Sequence, residues 1–235
     1  DVTGGIRMLV DFAEMNTTRI NTPPEPEDIS ISAHITIPGL YVVEDFISDE
    51  TEASLMEMLD GESASWEDGI SRRVQHYGFP FNYRTLMLDY NRPVNPIPRE
   101  CDPLMDQMRK THRKVIGAAD EAEPAMPLSQ MTVNEYYPGQ GIASHIDTFN
   151  CFGPDIYIVS MCSGITMTLT HSSRMDSGVA STEDTCHGDE DTKGEAELYS
   201  QKKHVWLPRR SLLIISGESR YEWGHCISSR MQDKV

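Results

Sequence analysis

The chain has 235 residues, 38% of them hydrophobic, and a formal charge of -17 at pH 7. That length suits one large domain with a sizeable core. The charge excludes a surface that grips phosphates tightly by itself, and no apolar run approaches the length of a membrane span.

The five cysteines (101, 151, 162, 186 and 226) are odd in number and form no CxxC, which reads as reduced thiols in a cytoplasmic or nuclear compartment. The chain opens at Asp1 and stops at Val235 within a polar stretch, so it reads as a fragment.

In residues 1–20, Ile6, Met8, Val10 and Phe12 alternate, but Ile6, Leu9, Val10 and Ala13 fit a helix nearly as well. Periodicity leaves the two open. Pro23, Pro24 and Pro26, interleaved with Glu25 and Glu27, make an extended linker. Residues 1–30 are therefore expected to be an N-terminal arm and Pro-rich linker, and residues 31–235 the domain.

A short strand is predicted around Leu40 to Val43. Ser48 or Asp49 then caps a helix with an acidic first turn, on which Leu55, Met56 and Leu59 share a face. A second helix is predicted after Asp102 as cap, with Pro103 in the first helical position, and Gly117 stops it. It turns Leu104, Met105, Met108, His112 and Val115 inward, which makes His112 a packed or surface histidine.

From Met131 the pattern changes to short alternating strands. Ile165, Met167 and Leu169 oppose Thr166, Thr168 and Thr170, the pattern of a half-buried antiparallel strand. Further strands are predicted at 132–137, 142–146, 156–161, 204–207, 212–216 and 221–227. Two helices before a run of short strands imply an α+β chain: a double-stranded β-helix (jelly roll) core with two flanking helices. Residues 172–203 read as an inserted acidic loop. Its 176–197 stretch carries -7 and is expected to be disordered and to lie away from the site.

His145 and Asp147 stand two apart in a strand-like segment, so both side chains leave one face and can grip one ion. An imidazole and a carboxylate suit a borderline divalent metal. A second imidazole would complete the facial triad of a non-haem iron(II) site, with three positions left open, and His225 is the natural third ligand. His34, His76, His171, His187 and His204 have no comparable partner and are expected to be core or surface residues.

The stretch NEYYPGQGIASHID (134–147) resembles the strand, PG turn and HxD signature of the AlkB family. PRRSLLIISGESRYEWGH (208–225) resembles the strand and turn that deliver that family's distal histidine. RVQHYGFPFNY (73–83) resembles its nucleotide-recognition lid. The resemblance covers roughly residues 35 to 230, and within the family NEYYPGQGIASHID and GESRYEWGHCI look most like the branch that hydroxylates a modified wobble uridine in tRNA.

That resemblance implies an iron(II)- and 2-oxoglutarate-dependent dioxygenase with His145, Asp147 and His225 as metal ligands. It implies that Asn134 and Tyr136 hydrogen-bond 2-oxoglutarate, where the plain alternatives are a backbone-satisfying Asn134 and a core-packed Tyr136. Arg72 and Arg73 would meet phosphates, and Tyr77, Phe79 and Tyr83 would stack on the target base; a solvated turn and packed aromatics are the plain alternatives. Arg230 is the one arginine after His225. It stands earlier than the arginine with which the family anchors the distal carboxylate.

The expected substrate is a nucleobase in tRNA, bound weakly by this chain alone and with help from an RNA-binding or methyltransferase partner; no membrane is expected. An N-alkyl demethylase of RNA or DNA is the first alternative. A catalytically inert jelly-roll interaction module is the second.

Overall fold

The alternating apolar stretches form antiparallel strands in two sheets in the computed structural model, which describes residues 7–15, 37–61, 64, 66–68, 72–79, 81–82, 84–91, 95–117, 128–172 and 202–231. In chain order these are β1 (Arg7–Met15), β2 (Leu40–Val43), α1 (Asp49–Leu59), β3 (Glu67–Asp68), β4 (Arg73–Tyr77), β5 (Phe81–Asn82) and β6 (Met87–Leu88). They continue with α2 (Asp102–Val115), β7 (Gln130–Tyr136), β8 (Ile142–His145), β9 (Phe152–Met161) and β10 (Ile165–His171). Last come β11 (Lys202–Leu207), β12 (Leu212–Ile215), α3 (Gly217–Tyr221) and β13 (Trp223–Ile227).

The large sheet runs β2-β12-β9-β1-β7-β4-β3, the small one β11-β10-β13-β8, and β5 and β6 form a hairpin of their own. Because side chains alternate across a strand, the large sheet feeds two cores. One face, with Val10, Phe12, Met131, Val133, Val159 and Ile214, packs on Leu55 and Leu59 of α1 and Leu104, Met105 and Met108 of α2. The other, with Ala13, Tyr136, Ile156, Ile158 and Leu213, clusters with Ile165, Met167, Val205, Leu207, Trp223 and Ile227 of the small sheet. This second core is the inside of the jelly roll. Each fully buried aliphatic side chain in these layers contributes about 1.5–3 kcal/mol.

The helix layer is also held by charge. Glu52 is buried on α1 and accepts from Arg209 at 2.8 Å and from the Cys162 backbone N–H at 2.7 Å. Arg210 donates to Asp49 at 2.5 Å and to Asp45 at 3.3 Å. The two arginines between β11 and β12 thus tie α1 to the sheet; removing Arg209 would leave the Glu52 carboxylate buried without its cation.

Several expectations need correction. Residues 7–15 are not an arm: Val10 pairs with both Val133 and Val159, which puts β1 between β7 and β9. Alternation, not helical spacing, was the governing period there, and a strand that precedes the proline run in sequence belongs to the large sheet. The cap of α2 is Cys101 at the end of a 3-10 turn, not Asp102, and Pro103 is the second helical residue rather than the first. β13 begins at Trp223 rather than Tyr221. The Ser216 and Ser219 side chains form a reciprocal capping box that starts α3 instead.

Thr166 and Thr168 are buried along with the apolar face of β10, and Thr168 hydrogen-bonds His204 at 3.0 Å, so the strand is covered on both faces. Lys202 and Lys203 belong to β11. The acidic 176–197 stretch, the Pro-rich linker, His34 and His187 lie outside the described residues.

Candidate metal centre

The turn after β7 aims β8. Gln140 donates from its backbone to Tyr137 O at 2.9 Å and accepts the Tyr137 N–H on its own side chain at 2.8 Å. Gly139 adopts φ +87°, open to glycine at little cost, and its N–H reaches Arg230 O at 3.0 Å. A Cβ on Gly141 would stand 2.2 Å from the Ile227 carbonyl oxygen, so only glycine lets the start of β8 lie this close to β13.

That approach sets the pairing of His225 opposite His145, with ring centroids 4.4 Å apart. Asp147 follows just past the strand end, and its Oδ2 is 3.9 Å from His225 Nε2. One ligand atom from each of His145, Asp147 and His225 lies within 4.8 Å of the others.

His145 Nδ1 is 2.9 Å from Ala143 O. A ring that donates there keeps its Nε2 lone pair for a metal. Burial pushes the His225 imidazole down to about 4, helped by neighbouring His145 and Arg220 and opposed by Asp147. It is therefore neutral at physiological pH, the form that binds metals. Two imidazoles and one carboxylate are the donor set of an iron(II) facial triad, so the residues present fit the ion.

The remaining candidates fall in different places. Asn134 and Tyr136 are buried on the face of β7 that alternates away from Met131 and Val133, and Tyr136 belongs to the jelly-roll interior. Arg72 donates to Asn134 Oδ1 at 2.6 Å, which sets a cation and an amide side by side, groups that can meet a carboxylate. Arg230 lies beside the turn into β8 through its backbone bond to Gly139.

Arg73 is not a free phosphate contact. It makes two hydrogen bonds to the buried carboxylate of Glu135, one at 2.8 Å, and lies over the Trp66 ring at 4.1 Å. Tyr77 is not open for stacking either; it packs in the helix-side core, and its hydroxyl donates to Gln75 at 2.6 Å. Both reverse the sequence expectation, because alternation along β4 turns them to sites the motif alone does not show. Phe79 is half-buried against Tyr90 at 5.0 Å. Tyr83 lies outside the described residues.

Sequence reasoning missed Arg220, whose buried guanidinium donates to carbonyls of the loop that carries Asp147. The signal was there: the one cation between the end of β12 and His225. It also missed the contacts of the β5–β6 hairpin. Phe81 meets Phe152 at 5.6 Å and Cys151 Sγ lies 3.6 Å from Leu86 O, so the β5–β6 hairpin rests on the loop after Asp147. A cleft beside α2, lined by Met105, Arg109 and Leu128 among others, shares no residue with the triad.

A jelly roll with a histidine, a carboxylate and a distal histidine converging on its small sheet defines the class of iron(II)-dependent oxygenases. The profile of the 2OG-Fe(II) oxygenase superfamily matches residues 39–235, and the chain belongs to that family. It is a dioxygenase whose cofactors are Fe(II) and 2-oxoglutarate, not an inert interaction module.

Its relatives are AlkB homologues. It is 32% identical over 205 residues to the alkylated DNA repair protein ALKBH8 homolog of Arabidopsis thaliana, covering 87% of this chain and 55% of that protein. It is 35% identical over 204 residues to the tRNA (carboxymethyluridine(34)-5-O)-methyltransferase ALKBH8 of Macaca fascicularis, covering 84% and 25%. At 24% identity it matches the DNA N6-methyl adenine demethylase of Caenorhabditis elegans, covering 89% and 64%. The chain thus spans about half of the plant relative's length and a quarter of the primate one's.

Proposed function

We propose that this chain hydroxylates a carboxymethyl-type modified uridine at the wobble position of tRNA, with His145, Asp147 and His225 holding the iron. The convergence of those three side chains carries the reading of the site. The substrate class is supported by relatives at 32–35% identity, one of them named for carboxymethyluridine at position 34.

Iron(II) with 2-oxoglutarate and dioxygen supplies the oxidising power for C–H hydroxylation, with succinate and carbon dioxide as co-products. The chain's own residues bind, orient and exclude water. Ala143 O fixes the His145 ring, and burial keeps His225 neutral. Asn134 and Arg72 offer polar contacts for the 2-oxo acid, and Tyr136 forms apolar wall beside them.

On the substrate side, Leu86, Met87 and Tyr90 are exposed around the β5–β6 hairpin, and Phe149 is exposed on the loop after Asp147. Apolar and aromatic surface there suits a base turned out of its stack, since every base offers a π face. With a charge of -17, the isolated chain is expected to bind tRNA weakly and with steep salt dependence, so a basic RNA-binding or methyltransferase partner would supply most of the affinity.

The test incubates the chain with iron(II), labelled 2-oxoglutarate and an anticodon stem-loop bearing the modified uridine. Succinate release together with a one-oxygen mass gain on the nucleoside supports the reading. Succinate with no change in that nucleoside, but aldehyde release from an N-methylated base, favours the demethylase alternative, for which the nematode relative speaks.

A further inference from the structure

We propose that Arg220 is the positioning residue of the metal centre: its guanidinium clamps the backbone of the loop that carries Asp147 onto the segment that carries His225. The inference rests on the ligand assignment proposed above and extends it to a residue that touches no metal.

The problem it solves is geometric. The β8–β13 ladder reaches His145 opposite His225 and stops there. Asp147 therefore lies beyond the strand, in an irregular stretch before β9 begins at Phe152. A ligand on such a loop is only as well placed as the loop's backbone. Arg220 is 2% exposed and meets that backbone at three points: Nη1 to Asp147 O at 2.8 Å, Nε to Gly153 O at 3.2 Å and Nη2 to Phe152 O at 3.4 Å. One bond falls on the ligand residue itself, and two fall where β9 starts.

The other end of the clamp is equally placed. Arg220 sits in α3, and β13 with His225 follows after a short turn, so one rigid segment carries both the clamp and the third ligand. Holding the Asp147 carbonyl to α3 thereby fixes the Asp147 carboxylate relative to His225, whose Nε2 it approaches at 3.9 Å. Phe149 and Tyr221 face the guanidinium at 5.6 and 5.2 Å, and their rings meet each other at 5.4 Å beside it.

Chemistry favours this role over simple packing. Burying a cation is costly, and the acceptors that Arg220 meets at Asp147, Phe152 and Gly153 are neutral carbonyls, with the carboxylates of Asp147 and Asp155 acting on it through charge. An apolar side chain would fill the elbow more cheaply. A planar fork with several donors in fixed directions is the group that can hold three carbonyls at once. Residues that orient metal ligands typically change metal affinity 10- to 100-fold when removed.

The experiment is anaerobic Co(II) titration of the full chain, read by visible absorption, for wild type, Arg220→Lys and Arg220→Met, with circular dichroism and thermal melting of each metal-free protein. Arg220→Met is expected to bind Co(II) roughly 10- to 100-fold more weakly and with a changed visible band, while its far-UV spectrum stays that of wild type. Arg220→Lys is expected to recover part of the affinity.

Affinity and band unchanged in a folded Arg220→Met overturn the proposal. If that variant does not fold, Arg220→Lys decides on the same readouts. If neither folds, Arg220 is a folding determinant and the proposal falls. Failure of wild type itself to bind Co(II) overturns the ligand assignment and this inference with it, whereas equal binding by wild type and variants removes the inference alone.

Discussion

Among the described residues, two clusters bring three ligand-type side chains within 4.8 Å, His145/Asp147/His225 and His171/Glu218/Glu222, and both border β13. They differ in what surrounds them. In the first, a strand pairing sets the two imidazoles opposite each other, His225 is 8% exposed, and burial leaves it neutral. In the second, the carboxylates stand on a five-residue helix and the turn after it, and the Glu222 side chain is 59% exposed. Its members already serve one another: Trp223 Nε1 donates to Glu218 at 3.1 Å, and His171 meets Glu222 at 3.3 Å. Composition alone does not make a metal centre; a fixed register and desolvation do.

The largest expected effect breaks the first cluster. Asp147→Ala should abolish 2-oxoglutarate turnover and Mn(II) binding by calorimetry, with the melting temperature of the metal-free chain nearly unchanged, because a ligand near the solvent contributes more to chemistry than to the core. Turnover equal to that of the parent would remove the triad from the mechanism.

His112 sharpens the comparison, being a buried imidazole whose near partner is the Tyr157 hydroxyl at 2.8 Å. Burial pushes it down to about 4 from an ordinary 6.5, and Arg113 adds to the shift. A folded value below the unfolded one means that its contribution is fully present above about 6.5 and is lost as pH falls toward 4, on the order of 3 kcal/mol in total. Asp155, 3.8 Å away, is raised by burial to about 6 and takes up a proton in the same window, which offsets part of that loss. Urea unfolding from pH 7 to pH 4 should show wild type losing more stability than His112→Gln. Parallel curves would mean that the histidine does not couple to folding.

Next in size is Gly141→Ala. Its Cβ would collide with the Ile227 carbonyl and push β8 off β13, a strain of about 1–3 kcal/mol. Metal affinity should fall with stability here, unlike in Asp147→Ala; a variant that melts lower yet binds Mn(II) as tightly would show that the register does not set the ligands. The smallest effect tests the second cluster. Glu222→Gln and His171→Ala should each leave turnover and Mn(II) binding as they are, with stability changed by less than about 0.5 kcal/mol.

What the sequence made legible follows the same division. Two-residue spacing singled out His145 and Asp147 together, although β8 ends at His145 and Asp147 lies just past it, and strands of the jelly roll followed from alternation, as in Ile165, Met167 and Leu169. Ser48 was readable as the cap of α1, where it accepts from Thr51 N–H at 3.1 Å. The partners of the charged residues were not readable. Arg73 meets Glu135 and Arg209 meets Glu52, pairs 62 and 157 residues apart, and no local pattern encodes a contact made by sheet topology. Tyr77 shows the same blind spot: a motif assigned it a role that the facing of β4 forecloses. β1 was undecided for another reason, since its apolar residues satisfy both periods and only its two neighbouring strands select one.

The central place of β1 also bears on how the chain reaches its fold. On the ribosome this segment emerges before either of its partner strands and waits, because Ala13 pairs with Gln130 on one side and Ile156 on the other. Such long sequence separation slows folding, since the loop between partners must close before pairing rewards it. Until then β7 and β9 have open edges where β1 belongs, and open edges recruit other chains. A shortened protein that starts after the proline-rich stretch would keep every metal ligand and still lose the middle of its large sheet. Its expected failure is aggregation during synthesis rather than loss of chemistry, and appending residues 1–20 as a separate peptide is the corresponding remedy.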